Sequence, residues 1–129
     1  MYSMKEVCKM LDMSYETLKY YCNEDLIPNV TRDKNNYRIF DGGQLELIKG
    51  IQCLRKCGMS IKDMKVYIEY CKEGESSIFP RQVMLAKLRE ELLVKQQEIQ
   101  DSIDYIDHKQ TFYQDVLDGK IPYFTNIKQ

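Results

Sequence analysis

From Arg81 to Asp118 the chain contains neither proline nor glycine, and Leu85, Leu92, Ile99, Ile106 and Tyr113 recur along it at a strict seven-residue spacing. Leu88, Ile103 and Val116 flank that row, which is the pattern of one long helix carrying a coiled-coil seam. Lys95, Gln96, Ser102 and Lys109 interrupt the companion positions and narrow the seam in the middle. A lone helix cannot bury such a stripe, so it needs a partner, most simply its own copy. In a chain of 129 residues, a helix this long leaves enough sequence for one small core and no more. The architecture to expect is therefore a compact head and an extended arm.

Composition narrows the partners of the head. Through Lys72 there are 12 Lys and Arg against 10 Asp and Glu, a net charge of +2, whereas the remainder carries −3. The N-terminal part is thus the better candidate for meeting a polyanion, although the placement of its charges matters more than their sum. No apolar run approaches the roughly 20 residues that cross a bilayer, and the N-terminus lacks the basic-then-apolar layout of a signal peptide, so no membrane partner and a cytoplasmic location are expected. The five cysteines form an odd set without a CxxC pair, which in a chain that is not exported reads as free thiols.

Within the head, Ser3 and Glu6 form a capping box that starts a helix with Met4, Val7, Cys8 and Leu11 on its inner face. Asp12 and Met13 fill a tight connection before Ser14 caps a second helix ending at Pro28, and two short helices so closely joined make a helix-turn-helix. Between Asn29 and Phe40, turn residues Asp33 to Asn36 precede an alternating stretch, Tyr37 to Phe40, which reads as a small hairpin. Asp41 with Gln44 and Ser60 with Asp63 start two further helices, the first ended by Gly58, whose apolar positions close the core. Lys72 to Pro80 breaks every periodicity and reads as a linker. The expected organisation is a head over 1–72, a linker over 73–80, a dimerisation helix over 81–118 and a short tail over 119–129. Ile121, Tyr123, Phe124 and Ile127 make the tail too apolar to stay free.

The second helix presents Tyr15, Glu16, Thr17, Lys19 and Tyr20 on one side, a mixture of hydroxyls and a cation suited to phosphates and base edges. The hairpin adds Arg32, Lys34, Tyr37 and Arg38 beside it. Tyr15, Thr17, Lys19, Tyr20, Arg32, Tyr37 and Arg38 are accordingly expected at a DNA surface, with Tyr21 half in the core and half at a phosphate. No paired carboxylates, nucleophile–base set or phosphate-cradling glycine loop stands out, so neither enzymatic activity nor a cofactor is expected.

These motifs, namely Ser14 to Tyr21, Leu26-Ile27-Pro28, Arg32 leading to Tyr37-Arg38-Ile39-Phe40, and Leu54-Arg55 to Gly58-Met59-Ser60, resemble those of the MerR family of bacterial transcription regulators. The resemblance covers Tyr2 to about Cys71. It implies a mainly α fold, a winged helix-turn-helix head on a long dimerisation helix, paired as an antiparallel coiled coil in a homodimer. It implies binding to double-stranded promoter DNA at an inverted repeat in an over-long spacer. Distortion of that DNA then helps RNA polymerase indirectly. Where the family usually has glycine, this chain has Asp12, Asp25 and Asn36, residues that best replace glycine in left-handed turns. Lys19 stands where arginine is usual and keeps the charge without the planar fork, and Cys22 and Phe40 replace glutamate and tyrosine.

Cys53, Cys57 and Cys71 admit two readings. Cys53 and Cys71 resemble the thiols of an aldehyde- and electrophile-responsive branch of the family, in which modification is the signal, and Cys57 lies one helical turn from Cys53 as a further candidate sensor; alternatively all three are small buried apolar residues. The resemblance implies no metal site, because metal-responsive members of the family place cysteines at the start of the dimerisation helix and in a loop after it, whereas here no cysteine follows Cys71; His108 has no soft ligand nearby. A pocket of Tyr105, Phe112, Tyr113, Tyr123 and Phe124 is conceivable, though packing explains those rings more simply. A reading from another class is a coiled-coil protein-interaction module whose head has lost promoter activity.

Overall fold

A computed structural model describes residues 1–128 and divides the chain into two compact units, Met1–Leu88 and the segment from Arg89 onward. The first unit opens with a two-residue strand β1 (Tyr2–Ser3), followed by α1 (Met4–Leu11) and α2 (Tyr15–Asn23). Ser3 Oγ accepts from the Glu6 amide at 3.1 Å while the Glu6 carboxylate accepts from the Ser3 amide at 3.0 Å. That reciprocal bond holds the Glu6 carboxyl below its ordinary range, because the ionised form is the acceptor. Asp12 then turns the chain with φ 50°, and Ser14 Oγ accepts from the Thr17 amide to start α2.

α2 ends in a Schellman turn in which the Leu26 amide donates to Tyr21 and the Asp25 amide to Cys22, with Asp25 at φ 58°. Asn36 in the hairpin turn has φ 66°. All three positions at which Asp or Asn replaces the usual glycine are therefore left-handed. Asn29, at φ 63°, is a fourth such residue that the sequence did not single out.

Strands β2 (Thr31–Arg32) and β3 (Arg38–Phe40) form the hairpin, and β1 pairs on the other edge of β3, giving an antiparallel sheet of order β1-β3-β2. Tyr2 faces Phe40 and Arg32 faces Arg38 in the two registers. The Asp33 carboxylate closes the turn by accepting from the Asn35 and Tyr37 amides at 2.8 and 3.0 Å. The N-terminal strand adds a pairing beyond the expected hairpin and ties the wing to the start of α1.

α3 (Gly42–Lys56) and α4 (Ile61–Glu73) complete the core. Asp41 and Gln44 form a full capping box, and the buried Gln44 amide also donates to the Pro28 carbonyl at 2.9 Å, fastening the turn after α2 to α3. The Gln52 amide donates to the Leu11 carbonyl at 2.8 Å and joins α3 to the end of α1. At Ser60 half of the expected box forms, the hydroxyl accepting from the Asp63 amide. Gly58, at φ 99°, ends α3 in a second Schellman turn. Val7, Leu18, Leu26, Phe40, Ile48, Ile51, Met64 and Ile68 are the centre of the core.

The stretch read as a linker is helical almost throughout. A 3-10 turn (Gly74–Ser77) follows α4 directly, and α5 runs over Ile78–Leu117. Pro80 is tolerated because it lies in the first turn of α5, where its missing N–H has no partner within the helix. Leu88 on α5 packs into the head core, so the first turns of the long helix belong to the first unit.

The second unit is the remainder of α5 and the tail. Gly119, at φ 73°, ends the helix, and Phe124 returns to place its ring edge-on to Phe112 with centroids 4.9 Å apart. Ile99, Ile106 and Tyr113 stay exposed along this part, Ile99 by 62%. Among the described residues, no helix is long and apolar enough to cross a membrane.

Candidate nucleic-acid interface

The exposed ridge of α2 is created by its own period. Leu18 and Tyr21 turn into the core, which leaves Tyr15, Glu16, Lys19 and Tyr20 outward, with Thr17 half-buried. The Thr17 hydroxyl lies 2.8 Å from Ser14 Oγ, so it is engaged with the cap. Tyr21 is only 6% exposed. Its ring belongs to the core, and its edge reaches a hollow beside Tyr20.

On the wing side of the ridge, Tyr15, Arg32, Tyr37 and Arg38 converge on a cleft of about 270 Å³, completed by Ser3, Met4, Lys5 and Asn36. Arg38 is half-buried and donates from Nη2 to Asn23 Oδ1 at 3.0 Å, bracing the wing against the last residue of α2. Arg32 donates from Nη1 to the Asn36 carbonyl at 2.9 Å. Each guanidinium has five donors, so both keep N–H groups for a further acceptor. On the other side, Glu16, Thr17, Tyr20 and Tyr21 share a hollow of about 510 Å³ with Gln52, Arg55 and Lys56 of α3. Lys19 is exposed on the ridge and lines neither hollow.

The arrangement is a polar, aromatic ridge with cations on both flanks. A ridge of this kind can enter a groove while the flanking cations meet phosphates on either side. Lys5 and Lys56 are additions to the residues foreseen. A lysine in the first turn of α1 opposes the helix dipole, and that opposition is a sequence signal that could have marked it. Lys56 carried no such signal, since a cation in a last turn suits the dipole. Arg55 is partly committed, donating from Nη1 to the Met59 carbonyl at 2.7 Å.

The end of α2 is held from behind by Lys65 of α4, whose ammonium is 2.5 Å from Glu24; that bond and charge hold the Lys65 pKa above its ordinary value. Burial pushes the Cys22 thiol up, opposed by the nearby Arg38 and Arg32 charges, and burial likewise raises Cys8. The remaining cysteines are also free thiols. Cys53 is exposed on α3, which does not fit the small buried apolar reading, whereas Cys57 at the end of α3 and Cys71 near the end of α4 are half-buried.

Elsewhere, Tyr105, Phe112, Tyr113, Tyr123 and Phe124 do line an open hollow of about 410 Å³, with His108 and Lys109 at its side. Among the described residues, no three His, Cys, Asp or Glu side chains cluster as metal ligands.

Residues 2–71 match the family model described as MerR HTH family regulatory protein. An uncharacterised HTH-type transcriptional regulator of Haemophilus influenzae is 30% identical over 113 residues, 88% of this chain and 84% of that one. The HTH-type transcriptional regulator AdhR of Bacillus subtilis is 32% identical over 91 residues, 70% of this chain and 65% of that one. Among solved structures, that of HiNmlR, described as a MerR family regulator lacking the sensor domain and bound to promoter DNA, has a TM-score of 0.75 at 30% identity, covering 89% of this chain and 91% of that one. With the winged helix-turn-helix head, the long helix and a family match over more than half its length, the chain belongs to the MerR family of helix-turn-helix transcriptional regulators.

Proposed function

We propose that the protein acts as a homodimer that binds an inverted repeat inside a promoter whose spacer is over-long, working in the cytoplasm where that DNA lies. The observation that carries this reading is the convergence of Tyr15, Arg32, Tyr37 and Arg38, with Lys5, on one cleft beside the α2 ridge. The ridge enters the major groove, and the wing and α1 cations meet the adjoining phosphates. Lys19, as a point charge without the guanidinium fork, contributes charge more than base selection. The structure of HiNmlR, a similar chain bound to promoter DNA, supports a promoter-binding role.

The seam supplies the dimer. Leu85, Leu92, Ile99, Ile106 and Tyr113 are symmetric about Ile99, so an antiparallel pair sets Leu85 against Tyr113, Leu92 against Ile106 and Ile99 against itself. Two heads held this way grip two half-sites, and bending or untwisting the DNA between them re-registers the elements that RNA polymerase reads; the polymerase contact is through the DNA. The relatives are regulators, and no catalytic role is assigned to any residue.

Footprinting on the DNA upstream of the protein's own coding sequence tests this. Protection of an inverted repeat between promoter elements is expected. Absence of any protected repeat there, and in DNA selected from a random pool, would favour a protein-interaction module built on the same coiled coil.

A further inference from the structure

The corner between α4 and α5 is built with more care than a connection requires. Gly74, at φ 82°, breaks the helical path, and the 3-10 turn that follows has weaker hydrogen-bond geometry than an α-helix, so this is where the chain could flex. Yet Ser77 is only 1% exposed. Its hydroxyl touches the carbonyl of Tyr70, in the last turns of α4, and lies 2.8 Å from that of Gly74. Arg81 reaches back from α5, placing Nη2 2.7 Å from the Gly74 carbonyl and Nε 3.2 Å from Ser77 Oγ.

A serine hydroxyl has one proton to give, and one assignment satisfies every group: Ser77 donates to Tyr70, Arg81 Nη2 donates to Gly74, and Arg81 Nε donates to Ser77. The carbonyls freed where α4 ends are thus bonded to residues from the turn and from the next helix. Arg81 converts a potential hinge into a fixed corner.

We propose that Arg81 is a positioning residue that sets how sharply the dimer discriminates between separations of its half-sites. This rests on the dimeric reading above. Ile99, at the proposed two-fold axis, lies about 32 Å along α5 from Ile78 at 1.5 Å per residue. A change of about 5° at the root of the helix therefore moves the axis by about 3 Å relative to the head. That displacement matches the rise of about 3.4 Å per base pair, so the stiffness of the corner decides how sharply neighbouring spacings are distinguished.

The test uses the full-length protein and a duplex that the wild-type dimer selects from a random-sequence pool, remade with one or two base pairs added or removed at its centre. Wild type should lose about tenfold or more in affinity for one base pair of change, whereas Arg81→Gln, read as a folded dimer, should lose about threefold or less. Ser77→Ala, which deletes one hydroxyl, should flatten the profile in the same direction and decides the matter if the arginine variant does not fold. Wild-type profiles for both variants, whatever their absolute affinities, would overturn the proposal. A purely structural role would lower affinity on every duplex alike and leave the profile unchanged. If wild type selects no inverted repeat, the dimeric DNA-binding reading itself falls, and the corner proposal with it.

Discussion

At the scale of single residues, the left-handed positions show most directly what the sequence is chosen for. Asp25 is exposed, has φ 58° and sits in the turn that aims Leu26 and Ile27 into the core, so its task is conformational. Asp tolerates that conformation better than other side chains with a β-carbon, and glycine tolerates it best. Asp25→Ala should lower stability by about 1 kcal/mol, whereas Asp25→Gly should match or exceed the parent, read as urea midpoints at constant slope. An alanine variant as stable as the parent would show that the turn tolerates side chains freely. Asp12, Asp25 and Asn36 were legible in the sequence because each stands where the resembled family usually has glycine, which marks a left-handed turn. Asn29 was not, because Pro28 just before it already accounted for the end of the helix.

At the scale of elements, caps were the most informative signal. Ser3, Ser14, Asp41 and Ser60 each start the helix that their side chains announce, since an orphan amide close to a hydroxyl or carboxylate is a local matter. Two features escaped for the opposite reason. β1 is a two-residue strand whose partner is β3, far along the chain, and so short a segment has no alternation to detect. The segment over 73–80 contains a glycine and a proline that each break a pattern, yet Pro80 falls in a first turn and Ser77 and Arg81 bind the corner together. The seam of α5 was legible as a period but not as a surface until its exposure was known. In the proposed dimer, Ile99→Glu should weaken association by about 3 kcal/mol or more, over a hundredfold in the dissociation constant by analytical ultracentrifugation, because it would set two carboxylates against each other in an apolar seam. An unchanged constant would place the dimer contact elsewhere.

At the scale of the whole molecule, the proposed DNA binding falls to one surface of the head. The head is nearly neutral in sum, but Lys5, Lys19, Arg32, Arg38 and Lys56 lie on or beside the α2 ridge, while the Asp33 carboxylate is occupied closing the wing turn. Local placement is what makes a net charge of +2 adequate. Arg38 is the residue that joins these parts, since it bonds Asn23 of α2 from the wing and lines the cleft with Tyr15 and Tyr37. The decisive measurement is the salt dependence of binding to a duplex selected by the wild-type dimer, compared with Arg38→Ala over several salt concentrations. If the α2 and wing surface carries the DNA, the variant binds all sequences more weakly, and its slope of log K against log salt falls by about 1 for each head. Equal affinity and an equal slope would contradict it.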